Sequence, residues 1–446
     1  MAEAICAIST PYGLGAISIV RASGDDVIKI VNSIFRGANL ESVPSFTIHY
    51  GHIMDGEETV DEVLVSVFKA PKTYTKEDIV EINTHGGIFV ANKILKLLVK
   101  SGCRLAEAGE FTKRAFLNGR IDLMQAESVM DIISSQNDLM LKESNRGLRK
   151  ELSDLIINLR EQLLDLIAKI EVNIDYPEYD DAIEMTNEII LPNLVDILGQ
   201  IDEILKTSYI GKVIAYGIDT AIIGRPNVGK SSILNMLLNE DKAIVSQIAG
   251  TTRDTVEGRL QLGDITLNLV DTAGIHQTED QIEKEGIEKA KKTLEKAELV
   301  LLVIDNNDIT DEDLELIKLT ENKKRIILVN KVDLDSADKI EVPHLNVSAK
   351  LGIGLKEICD EIRRLSQIDV LSQKDANFLT NTRQISTLEQ AKDALLDAKE
   401  SCLGLLPVDM IEIDIKKAWD LLGNVIGIDN TDELIDNLFS KFCLGK

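Results

Sequence analysis

One stretch, Gly224-Arg225-Pro226-Asn227-Val228-Gly229-Lys230-Ser231, limits the folds open to this chain more than any other. Its spacing is Gly-x4-Gly-Lys-Ser, and it lies between an apolar run at 220–224 and a helical pattern starting near Gly229, the strand-loop-helix setting in which such a loop wraps phosphates. Glycines let the backbone curl around the anion, and backbone N–H groups at a helix N-terminus stabilise its charge. Lys230 reaches β- and γ-phosphates, and the Ser231 hydroxyl suits Mg²⁺. Further apolar runs at 265–270, 299–305, 325–330 and 345–348 alternate with helical stretches, which predicts a parallel sheet covered on both faces.

Other elements follow in the order such a sheet demands. Asp271-Thr272-Ala273-Gly274 closes one run, so Asp271 can hold Mg²⁺ through water and the Gly274 amide can meet a γ-phosphate. Asn330-Lys331-Val332-Asp333 closes a later one, and the Asp333 carboxylate can accept from guanine N1 and N2. Adenine lacks those donors, so GTP is selected over ATP by the cost of leaving a buried carboxylate unpaired. Ser348-Ala349-Lys350 completes the base pocket, and Gly250-Thr251-Thr252-Arg253-Asp254 stands where a first switch belongs, with Thr252 as a second Mg²⁺ ligand. Jointly these elements resemble the translation-factor-related GTPases. Where Ras-like enzymes carry a water-orienting glutamine, this chain has Ile275, which cannot orient a nucleophile. Glu279, Asp280, Glu283 and Glu285 lie just beyond, and Asn227 could instead hold a monovalent cation that does the work of a guanidinium.

With 446 residues, the chain has room for roughly three domains. Residues 1–120 mix short strands at 4–9, 16–21, 63–68 and 79–84 with a helix over 89–101, an α+β pattern. Helical periodicity takes over at Leu123 and continues over 139–174 for many turns, long enough for an arm. It returns after about residue 366, at 382–401 and 408–422, so an α/β domain reads as inserted between two halves of a helical one. Lys plus Arg total 49 against 75 Asp plus Glu, a net charge of −26 that repels polyanions unless basic residues gather locally. Six acids and no base occupy 175–188, and Lys142, Arg146, Arg149 and Lys150 form the densest basic cluster nearby. No apolar run approaches membrane-spanning length, the start lacks a basic signal region, and cytosol is the expected compartment. Cys6, Cys103, Cys359, Cys402 and Cys443 show no paired spacing, and the five histidines no metal-ligand spacing. Thr84-His85-Gly86-Gly87 reads as a turn.

A closer likeness rests on the P-loop continued by Ser232, the Gly-Thr-Thr-Arg-Asp switch, and the ending Phe442-Cys443-Leu444-Gly445-Lys446. Thr10-Pro11-Tyr12-Gly13-Leu14-Gly15-Ala16-Ile17 and Gly109-Glu110-Phe111-Thr112-Lys113-Arg114-Ala115-Phe116-Leu117-Asn118-Gly119 extend it across the chain. On these residues the sequence resembles the tRNA modification GTPases of the MnmE (TrmE) family. The resemblance implies an N-terminal α+β tetrahydrofolate-binding and dimerisation domain over 1–120, a discontinuous α-helical domain over 121–212 and 369–446 ending in a Cys-containing tail, and an inserted α/β P-loop (Ras-like) G domain over 213–368. It also implies a reaction: with a FAD- and NADH-dependent partner, MnmG (GidA), an aminomethyl or carboxymethylaminomethyl group is placed at C5 of the wobble uridine of tRNA, using a one-carbon unit from a tetrahydrofolate. A regulatory ribosome-assembly GTPase without covalent RNA chemistry is the alternative.

By the same resemblance Glu283 orients the attacking water, and K⁺ sits between Asn227, Ser246, Ile248 and Thr251 and draws two G domains together. GTP contacts are implied for Asn227, Val228, Gly229, Lys230, Ser231, Ser232, Ser246, Thr251, Thr252, Asp271, Thr272, Ala273, Gly274, Asn330, Lys331, Asp333, Ser348, Ala349 and Lys350, with Mg²⁺ on Ser231 and Thr252. 5-Formyltetrahydrofolate or a related one-carbon carrier falls to Arg21, Glu81, Arg120 and Lys446: arginine and lysine suit its glutamate tail, and Glu81 the pterin. Arg120 stands where the family pattern has lysine, which keeps charge but not shape. Leu444 replaces an isoleucine at conserved volume. Cys443 matches the family's important cysteine, with a catalytic role implied; Gly445 and Lys446 after it do not make a prenylation box. The acidic balance implies that tRNA is held largely through the partner protein.

Overall fold

The structure, a computed structural model, describes residues 3–135, 137–175, 187–238, 256–262, 265–270, 294–334, 340–366, 378–428, 432–442 and 445. The chain divides into two compact units, Met1–Ile133 with Ser144–Met185 and Pro407–Lys446, and Ser134–Glu143 with Thr186–Leu406.

The first apolar runs become a sheet. β1 (Ile5–Ile8) pairs antiparallel with β2 (Ile17–Ser23), and after helix α1 (Val27–Ile34) and the short β3 (Phe35–Arg36) the chain forms a hairpin of β4 (Thr47–Asp55) and β5 (Glu58–Phe68). β6 (Ile79–His85) pairs with both β5 and β2, helix α2 (Ile88–Lys100) crosses over, and β7 (Arg104–Leu105) joins β1 in parallel, giving the order β3-β4-β5-β6-β2-β1-β7. Strand alternation puts Val20, Ala22, Val63, Val65, Val67, Val80 and Ile82 on one face, where Val27, Val31, Ile94 and Leu98 of α1 and α2 share their core. Helix α3 (Glu110–Leu117) follows. Two of its neighbours matter: Glu110 accepts from Arg104 at 2.7 Å and Arg114 at 2.9 Å, and Arg114 also pairs with Glu77 at 3.1 Å.

Three helices succeed it: α4 (Leu123–Ser134), α5 (Asp138–Leu148) and α6 (Glu151–Asp175). The expectation of one helix over 139–174 is corrected here. Lys150 has φ 71°, in the left-handed region that cannot continue a right-handed helix, so α5 and α6 are separate. Arg146 of the basic cluster pairs with Glu151 across that break at 2.8 Å. Of the acidic stretch 175–188, residues 176–186 lie outside the described ones.

Helix α7 (Asn187–Tyr216) leads into β8 (Ile218–Ile223), the P-loop and α8 (Lys230–Leu238). β9 (Val256–Leu262) and β10 (Ile265–Val270) form an antiparallel pair; then come β11 (Leu299–Asp305), α9 (Asp311–Leu319), β12 (Lys324–Asn330), β13 (Leu345–Asn346) and α10 (Leu355–Ser366). The order is β13-β12-β11-β8-β10-β9, parallel except for β9. β11 is buried from Leu299 to Ile304, as a strand covered on both faces must be. β8 lies between β11 and β10, so the P-loop emerges where the strand order reverses and a crevice opens at the strand ends.

Helix α11 (Thr382–Leu403) packs on α7, capped by Asn381, whose Oδ1 accepts from Arg383 N at 2.8 Å. Helix α12 (Val408–Ile426) packs along α6, and α13 (Asp432–Phe439) against α3. Phe439 and Phe442 are buried with Ala115, Ile121 and Leu123, which fixes the course of the C-terminal segment. Among the described residues no helix is long and apolar enough to cross a membrane.

Candidate functional site

The phosphate end of the site is made by β8 and α8. Val228, 1% exposed, roots the P-loop in the core, and the loop turns through Asn227 at φ 64°, a conformation asparagine tolerates. Gly229 has φ 101°, and a Cβ there would lie 2.2 Å from Asn330 Nδ2. Only glycine lets the loop close on the end of β12. Lys230 Nζ donates to the carbonyls of Gly224 and Arg225 at 2.8 and 2.7 Å, and burial lowers its pKa. Ser231 and Ser232 lie exposed on the first turn of α8, at the amide-rich helix end. The glycine cradle, the ammonium and the helix terminus fit a nucleotide triphosphate, and the Ser231 hydroxyl fits its Mg²⁺.

At the base end, Asn330 is 2% exposed. Its Nδ2 donates to the Val228 carbonyl at 2.9 Å and its Oδ1 accepts from Ala349 N at 3.0 Å, so it ties the two ends of the site together. Lys331, also left-handed at φ 67°, donates to the Asn227 carbonyl at 2.9 Å and pairs with Asp305 at 2.6 Å. Asp333 accepts from the fully buried Ser348 at 2.5 Å, and that bond, with the charge of Lys350, holds its carboxyl below the usual range. Burial pushes Asp305 up, but Lys331 outweighs it and its pKa is lowered.

The sequence reading included neither Asp305 nor the acids that grip the P-loop. Arg225 Nε donates to Asp313 Oδ2 at 2.8 Å, and its guanidinium lies 3.4 Å from Asp308 Oδ2. An arginine inside a phosphate loop was the available signal, since such a cation needs an acid nearby. Ser246, Ile248, Thr251, Thr252, Asp271, Thr272, Ala273, Gly274, Ile275, Glu279, Asp280, Glu283 and Glu285 lie outside the described residues, as do Cys443 and Lys446.

The other compact unit holds a second cluster. Arg21 on β2 faces Glu81 on β6 across the antiparallel register, Nε to Oε1 2.8 Å, and its Nη1 donates to the Gly445 carbonyl at 3.2 Å. Ser9 Oγ donates to the same carbonyl at 3.0 Å. Gly445 is buried at φ 88°, with room for no Cβ: one would lie 2.5 Å from the Ile8 carbonyl. The Arg120 guanidinium stands 4.7 Å from the Tyr74 ring, and that of Arg21 lies 5.9 Å from Tyr74 and 5.7 Å from Phe111. The structure thus brings Arg21, Glu81, Arg120 and the C-terminal segment together around Tyr74 and Phe111, two aromatics the sequence reading did not assign. Tyr74 is held by its hydroxyl, 2.9 Å from Thr112 Oγ1.

Two family models match the chain, the GTP-binding protein TrmE N-terminus over residues 4–120 and the MnmE helical domain over residues 123–443. Among curated relatives, the tRNA modification GTPase MnmE of Lactococcus lactis subsp. lactis (strain IL1403) is 50% identical over 448 aligned positions, covering 100% of this chain and 98% of that protein. The protein of the same name from Acholeplasma laidlawii (strain PG-8A) is 50% identical, with 100% and 99% covered. Among solved structures, the G domain of the T. maritima FeoB iron transporter matches 34% of this chain and 100% of its own at 24% identity and a TM-score of 0.25. With identity of this order running from end to end, the chain belongs to the tRNA modification GTPase MnmE family.

Proposed function

We propose that the chain is the GTP-hydrolysing component of a tRNA wobble-uridine modification system, adding an aminomethyl or carboxymethylaminomethyl group at uridine C5 together with a FAD-dependent MnmG (GidA) partner in the cytoplasm. The observation that carries this reading is the convergence of Arg21, Arg120, Tyr74, Phe111 and the Gly445 carbonyl in a chain whose other compact unit carries the P-loop. A purely regulatory GTPase has no use for the first cluster. Two guanidinium groups among aromatic rings offer a flat heterocycle a stacking surface and a glutamate tail its countercharge, which supports 5-formyltetrahydrofolate or a related one-carbon carrier. Glu81 first orients Arg21, and Lys446 adds a third cation at the end of the tail that Gly445 anchors.

At the nucleotide, Lys230 and the α8 amides hold the triphosphate, Asp333 reads guanine, and Ser231 with Thr252 holds Mg²⁺, which when bound offsets charge on the β- and γ-phosphates. Glu283 orients the attacking water in place of the missing glutamine, and Asn227, with Ser246, Ile248 and Thr251, holds K⁺ where two G domains of a homodimer meet. Hydrolysis drives the conformational cycle and does not form the new carbon bond. Cys443 keeps the catalytic role that the resemblance implies. Cells lacking the chain are expected to accumulate unmodified wobble uridine, and a Glu283→Ala copy, slowed about 100-fold in hydrolysis at nearly unchanged GTP affinity, is expected not to restore it. Unchanged nucleoside composition by mass spectrometry would return the chain to the assembly-factor reading.

A further inference from the structure

We propose that Arg225 is a positioning residue for the phosphate-binding ammonium of Lys230, held in place by Asp313 of α9. Arg225 belongs to the P-loop, yet its side chain reaches into the segment between β11 and α9. Nε donates to Asp313 Oδ2 at 2.8 Å, Nη1 and Nη2 lie 3.4 Å from Asp308 Oδ2, and Nη2 also donates to the Asp308 carbonyl. Asp313 has a side-chain exposure of 0%, and a carboxylate buried that far is tolerable only with a cation beside it. The same Oδ2 accepts from Thr310 N at 3.0 Å as part of the α9 capping box, so the grip on Arg225 is built into the start of a helix. Oδ1 is buried without a hydrogen-bond partner among the described residues, so the contact of Asp313 with Arg225 is made through Oδ2.

The consequence runs through the backbone. The main-chain carbonyl of Arg225 accepts from Lys230 Nζ at 2.7 Å, and the Gly224 carbonyl does so at 2.8 Å. A peptide unit whose side chain is clamped by two acids cannot swing its carbonyl freely, so the clamp sets where the ammonium waits for the β- and γ-phosphates. Asp305 acts in parallel at the start of the same segment: it pairs with Lys331, which donates to the Asn227 carbonyl. One short stretch, 305–313, therefore braces the P-loop at Arg225 and, through Lys331, at Asn227.

The test is a double-mutant cycle on the full-length chain, read by calorimetric titration with GTP and with GDP at up to millimolar nucleotide. Arg225→Gln is expected to weaken both nucleotides about tenfold, the scale of one lost charge-assisted hydrogen bond, with the preference for guanine over adenine kept. In a Lys230→Ala background the same change is expected to cost less than about twofold, because Arg225 acts through Lys230. Arg225→Lys keeps the charge without the planar fork and is expected to recover only part of the loss. An additive loss in the Lys230→Ala background, or unchanged affinity in Arg225→Gln, would overturn the proposal. Should Arg225→Gln not fold by circular dichroism, Asp313→Asn enters the cycle in its place with the same two outcomes.

Discussion

On the proposed reading Asp333 discriminates between bases, and Ser348 holds one of its oxygens at 2.5 Å, leaving the carboxylate little freedom to adapt. Asp333→Asn keeps the shape and turns an acceptor into a donor, which suits the C2 carbonyl of xanthine. GTP affinity is expected to fall about 100-fold and xanthosine triphosphate to become the preferred ligand in competition binding; an unchanged preference would remove Asp333 from base reading. Glu110 gives a second residue-level expectation. Burial raises its pKa, but Arg104, the Glu107 N–H and Arg114 together bring it down to about 2. A carboxyl depressed on folding stabilises the fold fully above its unfolded pKa, near the ordinary value of 4.5, and that contribution is lost as pH falls through the folded value near 2. The stability difference between the parent chain and Glu110→Gln, measured by denaturant unfolding, should therefore shrink from pH 5.5 to pH 3, and a constant difference would argue against the ion pairs as its source. Asp333 and Lys230 were legible in the sequence because their motifs are local. The acids that clamp Arg225 were not, since Asp308 and Asp313 lie 83 and 88 residues further along and only the fold brings them near.

At the scale of elements, periodicity served best where a segment has one partner surface. β11 reads as a covered strand because it is one, and α2 and α11 were placed within a residue or two of their ends. The strand β4 was not read, because Ile48 and Tyr50 on its outward positions are exposed apolar residues that blur the alternation. The break between α5 and α6 was hidden for another reason: the left-handed position is a lysine, where a sequence reader looks for glycine or asparagine. The pairing of α6 with α12 carries its own expectation. Leu163 on α6 has 0% exposure, so Leu163→Ala should lower the unfolding free energy by about 2–5 kcal/mol in denaturant titration. A cost below about 0.5 kcal/mol, the scale of a surface change, would show that this helix pair is not a packed core.

For the molecule as a whole, charge and covering sites pull in one direction. A chain with net charge −26 holds anionic ligands only where arginine and lysine are gathered, and among the described residues such places include the P-loop and the cluster around Tyr74. Transfer RNA offers far more charge than either can meet. The chain alone is expected to bind it weakly and to lose that binding steeply between about 50 and 200 mM salt, as filter binding would record; tight, salt-resistant binding would contradict a partner-held substrate. The central claim is that a one-carbon site and a guanine-nucleotide site share this chain. It is tested most directly by calorimetric titration of 5-formyltetrahydrofolate into the intact protein, into a version lacking residues 442–446, and into Arg21→Ala. Saturable binding to the intact chain, weakened about tenfold or more in both variants, is the predicted result. No binding to the intact, folded protein would contradict the account and leave a GTPase without one-carbon chemistry.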